Sequence, residues 1–185
     1  MGTWIRLALL FGATAVVLAA CGPNRPEPAP SLAPATSATS SAPSSSPTAG
    51  AGAATALDAY RGMWKAYVEA IRIPDPAYPD LARYTQGDAL KVFVNGLTSV
   101  QRGGLVGKGD VTLHPSVTGV NPNASPPTVE IKDCVDTSQS HLVKKDGSPY
   151  QDTPGGRRSA TATVAHLADG TWKVASFALL AVGTC

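Results

Sequence analysis

The chain is poor in the residues that announce chemistry most directly. It holds three cysteines, three histidines and three phenylalanines among 185 residues, and only 15% of it is charged. His114, His141 and His166 are too scattered for a metal-ligand pair, and no Cys/His pairing accompanies them, so no metal site is expected. No Gly-x-Ser-x-Gly elbow is present. The run Gly103-Gly104-Leu105-Val106-Gly107-Lys108-Gly109 lacks phosphate-loop spacing and follows an expected helix instead of a strand, so no cofactor is expected either. The formal net charge is only +2, which gives no reason to expect nucleic acid as a partner. Arg157-Arg158 is the only adjacent arginine pair and reads as a solvated strand end.

What is present begins at the first residue. Arg6 supplies a positive flank, and Leu7 to Ala20 is an uncharged run too short to span a bilayer comfortably. It ends in Leu18-Ala19-Ala20-Cys21, which resembles the lipobox of bacterial lipoprotein signal peptides. That resemblance implies a signal peptide over residues 1–20 and lipidation of Cys21 by a diacylglyceryl group. It also implies an address on the outer face of the cytoplasmic membrane. The competing reading is an ordinary signal peptide or an uncleaved anchor with a chance cysteine.

With Cys21 acylated, Cys134 and Cys185 remain. An even remainder in an exported, oxidising setting reads as one disulfide. A redox or nucleophilic thiol is the alternative, although neither cysteine lies in a Cys-x-x-Cys pair or directly beside a basic residue.

Residues 21–53 are almost entirely Pro, Ala, Ser, Thr and Gly after the cysteine, with no hydrophobic period. Such a segment cannot bury enough apolar surface to offset its ordering entropy and is expected to be a disordered tether. A flexible coil of this length averages about 30 Å end to end, and an extended one reaches about 100 Å.

The folded domain is expected over residues 54–185. Thr55 and Asp58 have the spacing of a helix N-cap and its acid. Leu57, Tyr60, Trp64, Tyr67, Val68 and Ile71 recur at helical spacing until Pro74 and Pro76. A short helix follows near Pro79 to Tyr84. A third runs from about Asp88 to Arg102, burying Leu90, Phe93, Val94 and Leu97, and Gly103-Gly104 ends it. The period then changes to two. Strands are expected over Asp110 to Val120, Pro127 to Asp136, His141 to Lys145, Ser159 to Leu167 and Thr171 to Val182, with Asp169-Gly170 as a hairpin turn. Helices first and antiparallel strands afterwards give an α+β class, with helices packed on one face of a curved sheet.

This order resembles the nuclear transport factor 2-like superfamily, the cystatin-like α+β cone. The resemblance rests on the long first helix with Tyr60 and Trp64, and on the short helix before Thr85. Gly87-Asp88-Ala89-Leu90 opening the third helix and the closing run Asp169 to Val174 add to it. The stretch Val129 to Asp136 with Cys185 is similar to small secreted lipoproteins of high-GC Gram-positive bacteria that carry such a domain. The superfamily includes ketosteroid isomerase-like and polyketide cyclase-like enzymes and many non-catalytic domains, so the resemblance implies fold more than activity.

Within such a cone, Asp133, His166, Tyr60 and Tyr84 are the residues available for acid–base work. None matches a catalytic motif of the family residue by residue. Strand alternation puts Asp133 on one face and Cys134 and Asp136 on the other. Ser140 and His141 are neighbours on an extended chain and are poorly placed as a nucleophile–base pair. The leading expectation is a non-catalytic, lipid-anchored module that binds a small apolar ligand or an envelope protein. The alternatives are an isomerase- or cyclase-like enzyme and a purely structural interaction module.

The anchor is tested directly. Cys21→Ala is expected to abolish fatty-acid incorporation and leave unprocessed precursor, because the sulfur is the acyl acceptor. Metabolic labelling reads this out, and equal labelling of the variant would contradict the lipobox reading.

Overall fold

A computed structural model describes residues 47–185. The signal segment, Cys21 and most of the expected tether lie outside the described residues. Helix α1 spans Pro47–Arg72, α2 Pro79–Tyr84 and α3 Gly87–Arg102. Strands follow as β1 Leu105–Lys108, β2 Ser116–Asn121, β3 Thr128–Asp136, β4 His141–Lys144, β5 Arg157–His166 and β6 Trp172–Leu179. The main sheet is antiparallel in the order β2-β3-β5-β6, and β1 pairs with β4 in a separate two-stranded ribbon. The α+β class expected from the sequence is the observed one.

The first helix starts earlier than expected. Thr55 is not an N-cap, because its hydroxyl lies inside the helix and donates to the Ala51 carbonyl at 3.0 Å. Asp58 faces outward and pairs with Arg61. Residues 48–54 consist of Thr, Ala and Gly with no proline, and their four alanines favour helix. Proline at position 47 is tolerated in a first turn, where no N–H donor is needed.

The buried stripe of α1 is also rotated from the expected one. Ala56, Ala59, Tyr60, Met63, Trp64, Ala66 and Ala70 are buried, whereas Leu57, Tyr67, Val68 and Ile71 are half-exposed. Small side chains on the inner face let the helix approach the sheet closely, so alanines take positions that the larger residues were expected to fill. In α3, Phe93 and Leu97 are buried as expected, joined by Ala89 and Val100, whereas Leu90 and Val94 are half-exposed.

Two strands depart from the period-two reading. The expected strand at Asp110 begins only at Ser116, after Pro115, which has no N–H for a ladder. Residues before it are held by a bridge between Thr112 and Asp136. Strand β1 lies in the glycine-rich run after α3, too short to show alternation. Gly107 is needed there, since a β-carbon would come within 2.6 Å of the Ile71 side chain on α1. The β5–β6 hairpin turns at Asp169-Gly170 as expected, with Gly170 at φ 82° and Asp169 accepting from the Thr171 N–H and hydroxyl.

Along β3, Val129, Ile131, Asp133 and Val135 face inward. Their β5 partners are Val164, Ala162, Ala160 and Arg158. The β6 partners Phe177 and Leu179 continue the same face. Main-chain bonds fasten the α2–α3 corner to this sheet, including Gln86 N–H to the Val174 carbonyl at 2.9 Å.

Cys134 and Cys185 form the disulfide that the cysteine count predicts, with Cα atoms 5.9 Å apart. It closes a loop of sequence separation 51. The chain-entropy estimate for such a loop is about 4 kcal/mol. Reduction, or paired Cys134→Ser and Cys185→Ser, is expected to lower the melting temperature by on the order of 10 °C. Calorimetry with and without reductant measures this; an unchanged melting temperature would refute a stabilising role.

Candidate functional site

The described domain contains an open cavity of about 680 Å³ at one end of the inner sheet face. That volume is within the ~300–1,000 Å³ usual for small-molecule sites. Helix α1 supplies Trp64, Tyr67 and Ile71, helix α3 supplies Phe93, Gly96 and Val100, and β6 supplies Phe177 and Leu179. Thr137, residues 140–142 and 152–155, Arg158 and Val182 add to the wall. Trp64, Tyr67, Phe93 and Phe177 form one aromatic cluster with ring centroids 5.0–6.3 Å apart. Gly96 is a helical residue whose β-carbon would meet nothing nearer than the Tyr67 hydroxyl at 4.0 Å, so this point of α3 opens onto free space.

Polar groups are few. Asp152 is engaged by main chain, accepting from the N–H groups of Leu142 on β4 and of Thr153 at 2.6 and 2.9 Å. Arg158 donates through Nε to the Leu180 carbonyl at 2.6 Å. Burial pushes the Tyr67 hydroxyl above the usual phenol range, and the nearby Arg158 guanidinium partly opposes this. Arg158 is half-buried and belongs to the cavity wall. The reading of Arg157-Arg158 as a solvated strand end therefore holds for the exposed Arg157 and fails for Arg158. Alternation turns one arginine outward and the next inward.

The four acid–base candidates are distributed differently. Tyr60 and Asp133 are brought together: the Tyr60 hydroxyl donates to Asp133 Oδ2 at 3.0 Å, and the His114 backbone N–H donates to Oδ1 at 2.6 Å. Asp133 is 2% exposed and Tyr60 fully buried, and neither lines the large cavity. Burial pushes the Tyr60 hydroxyl far above the ordinary phenol range; the neighbouring Trp64 indole partly opposes this and the Asp133 charge adds to it. The Trp64 Nε1 makes no hydrogen bond of normal geometry among the described residues.

His166 stacks on Trp172 with centroids 4.8 Å apart, away from the cavity lining. Tyr84 covers Gly62, where a β-carbon would come within 2.5 Å of its ring, and lies under the Arg83 guanidinium. Ser140 and His141 both line the cavity, with no hydrogen bond between them among the described residues. Among those residues no group of three or more His, Cys, Asp or Glu is placed to hold a metal ion. No helix among them is long and apolar enough to cross a membrane.

Sequence reasoning missed the cavity itself. Its helical walls read as ordinary amphipathic faces, and 152–155 fall between two expected strands. The available signals were a glycine inside an amphipathic helix at Gly96 and a cation in the inward register at Arg158.

The buried pair predicts alkaline behaviour. Unfolded Tyr60 ionises near its ordinary value of 10.0, whereas native Tyr60 keeps its proton. The native state then binds more protons than the unfolded state, so stability present below about pH 10 is lost as pH rises further. Tyr60→Phe is expected to reduce that alkaline slope and to cost about 1–3 kcal/mol at neutral pH, because Asp133 Oδ2 loses its donor. Urea midpoints measured from neutral to alkaline pH test both parts; an unchanged slope would contradict the assignment.

No protein-family model matches the chain, and no curated protein matches it. Solved structures similar to it include the intermembrane space region of the chloroplast protein ARC6. That match has 22% identity and a TM-score of 0.50, over 70% of this chain and 96% of that one. A structure from Catenulispora acidiphila matches with 13% identity and a TM-score of 0.45, over 71% and 92%. At this identity the ARC6 likeness speaks to the α+β fold alone.

Proposed function

We propose that this chain is a lipid-anchored, extracytoplasmic binding module. In this reading a nuclear transport factor 2-like domain takes up a small apolar ligand without transforming it. Cys21 carries the anchor, and the Pro/Ala/Ser/Thr-rich segment spaces the domain from the membrane. The order of three helices followed by an antiparallel sheet supports the superfamily assignment.

The observation that carries the binding reading is the 680 Å³ cavity, walled by an aromatic cluster and open at Gly96. Apolar walls favour an apolar ligand through water release, and a preformed cavity spares the cost of ordering a site on binding. An envelope-protein partner is the less supported form of the same reading, since a concave wall suits a small molecule better than a flat protein surface.

The enzyme alternative, an isomerase- or cyclase-like activity, draws on the Tyr60–Asp133 hydrogen bond. Both Asp133 oxygens are occupied and the pair lies outside the cavity lining. Proton transfer to a ligand in that cavity would therefore require the tie to break.

Gly96→Leu separates binding from folding. The new β-carbon meets nothing nearer than the Tyr67 hydroxyl at 4.0 Å, and leucine replaces the weakest helix former except proline, so the melting temperature is expected to stay level or rise. Binding of a neutral apolar probe, dodecanol, is expected to fall by at least about tenfold, a change of ~1.4 kcal/mol. Calorimetric titration checks this. Undiminished binding in a folded variant would remove the cavity from the proposal.

A further inference from the structure

Arg158 is the last residue of an inward-facing row that continues through Ala160, Ala162 and Val164. A cation in that position carries a desolvation cost that an opposite charge normally offsets. Among the described residues Arg158 makes no ion pair. Its Nε–H is taken by the Leu180 carbonyl, which fixes the guanidinium plane. The two terminal nitrogens of the fork have no hydrogen-bond partner among the described residues, and Arg158 belongs to the wall of the cavity. Asp152, the one carboxyl group in that wall, has both oxygens engaged by backbone N–H groups. Lys108 adds a second cation at the exposed rim.

Resting on the binding reading above, we infer that the cavity takes a monoanionic amphiphile, an apolar body ending in a carboxylate that docks on Arg158. Charge complementarity selects this occupant. The free end of a guanidinium presents two parallel N–H donors that match the two oxygens of a carboxylate, and Trp64, Phe93, Phe177 and Leu179 give the same wall its apolar part. Tyr67 shares the cavity wall with Arg158. A neutral ligand of the same length fills the apolar wall and leaves the fork unused. A cationic one meets Arg158 and Lys108 with like charge.

The experiment compares dodecanoate with dodecanol on the full, oxidised chain. Gly96→Leu serves as the cavity-blocked control for adsorption elsewhere. Dodecanoate is expected to bind about tenfold more tightly than dodecanol, and Arg158→Gln to erase that difference between the two probes. Arg158→Lys is expected to give an intermediate loss, because a point charge replaces the fork; it also serves if the glutamine variant does not fold. Equal affinities for the two probes, or an unchanged preference in Arg158→Gln, would overturn the anion inference and leave the apolar cavity standing. If neither probe binds above the Gly96→Leu control, the inference and the binding reading fall together.

Discussion

A buried carboxyl group holds three separate pieces of chain in register. Asp133 sits on β3 among Val129, Ile131 and Val135, in a row that is otherwise apolar. One oxygen takes the Tyr60 hydroxyl from α1, and the other takes the His114 N–H from the segment before β2. A polar group in such a place is tolerable only when its hydrogen bonds are made, and breaking one leaves the full desolvation cost behind. The tie therefore fixes the azimuth of α1 over the sheet. Trp64 and Tyr67, one and two turns beyond Tyr60, are thereby presented to the cavity. The residue that looked most like a catalytic acid has this structural use, and the cavity is one of its consequences.

The far side of the same cavity depends on the chain end. Cys185 is bonded to Cys134, and the preceding residues are laced to the start of β5. The Gly183 N–H donates to the Arg157 carbonyl, and the Ser159 N–H donates to the Thr184 hydroxyl. Leu180 and Val182, both half-exposed, belong to this strap; the first orients Arg158 through its carbonyl and the second lines the cavity. The disulfide thus stabilises by restricting the unfolded chain and also holds the strap that aims the guanidinium.

Much of the architecture was legible. Three helices, the strands β3 to β6, the Asp169-Gly170 hairpin and the disulfide all follow from periodicity, turn chemistry and cysteine parity, which are local or countable signals. The failures were local too. Alanine carries little periodic information, so the true inner face of α1 and its start at Pro47 were hidden beneath the larger residues. Strand β1 is too short to alternate, and Pro115 cut the expected first strand because its missing N–H matters more than the pattern around it.

The amino-acid order by itself determined the α+β class and the cysteine pairing. It also nominated Tyr60 and Asp133. Only the tertiary structure decided that these two meet, that their bond lies outside the cavity lining, and that Gly96 opens onto space. The physical reason is distance along the chain. Seventy-three residues separate Tyr60 from Asp133. A cavity is a volume left unfilled between α1, α3 and β6, and no single segment encodes it, because each wall is an ordinary amphipathic face until the others are set against it.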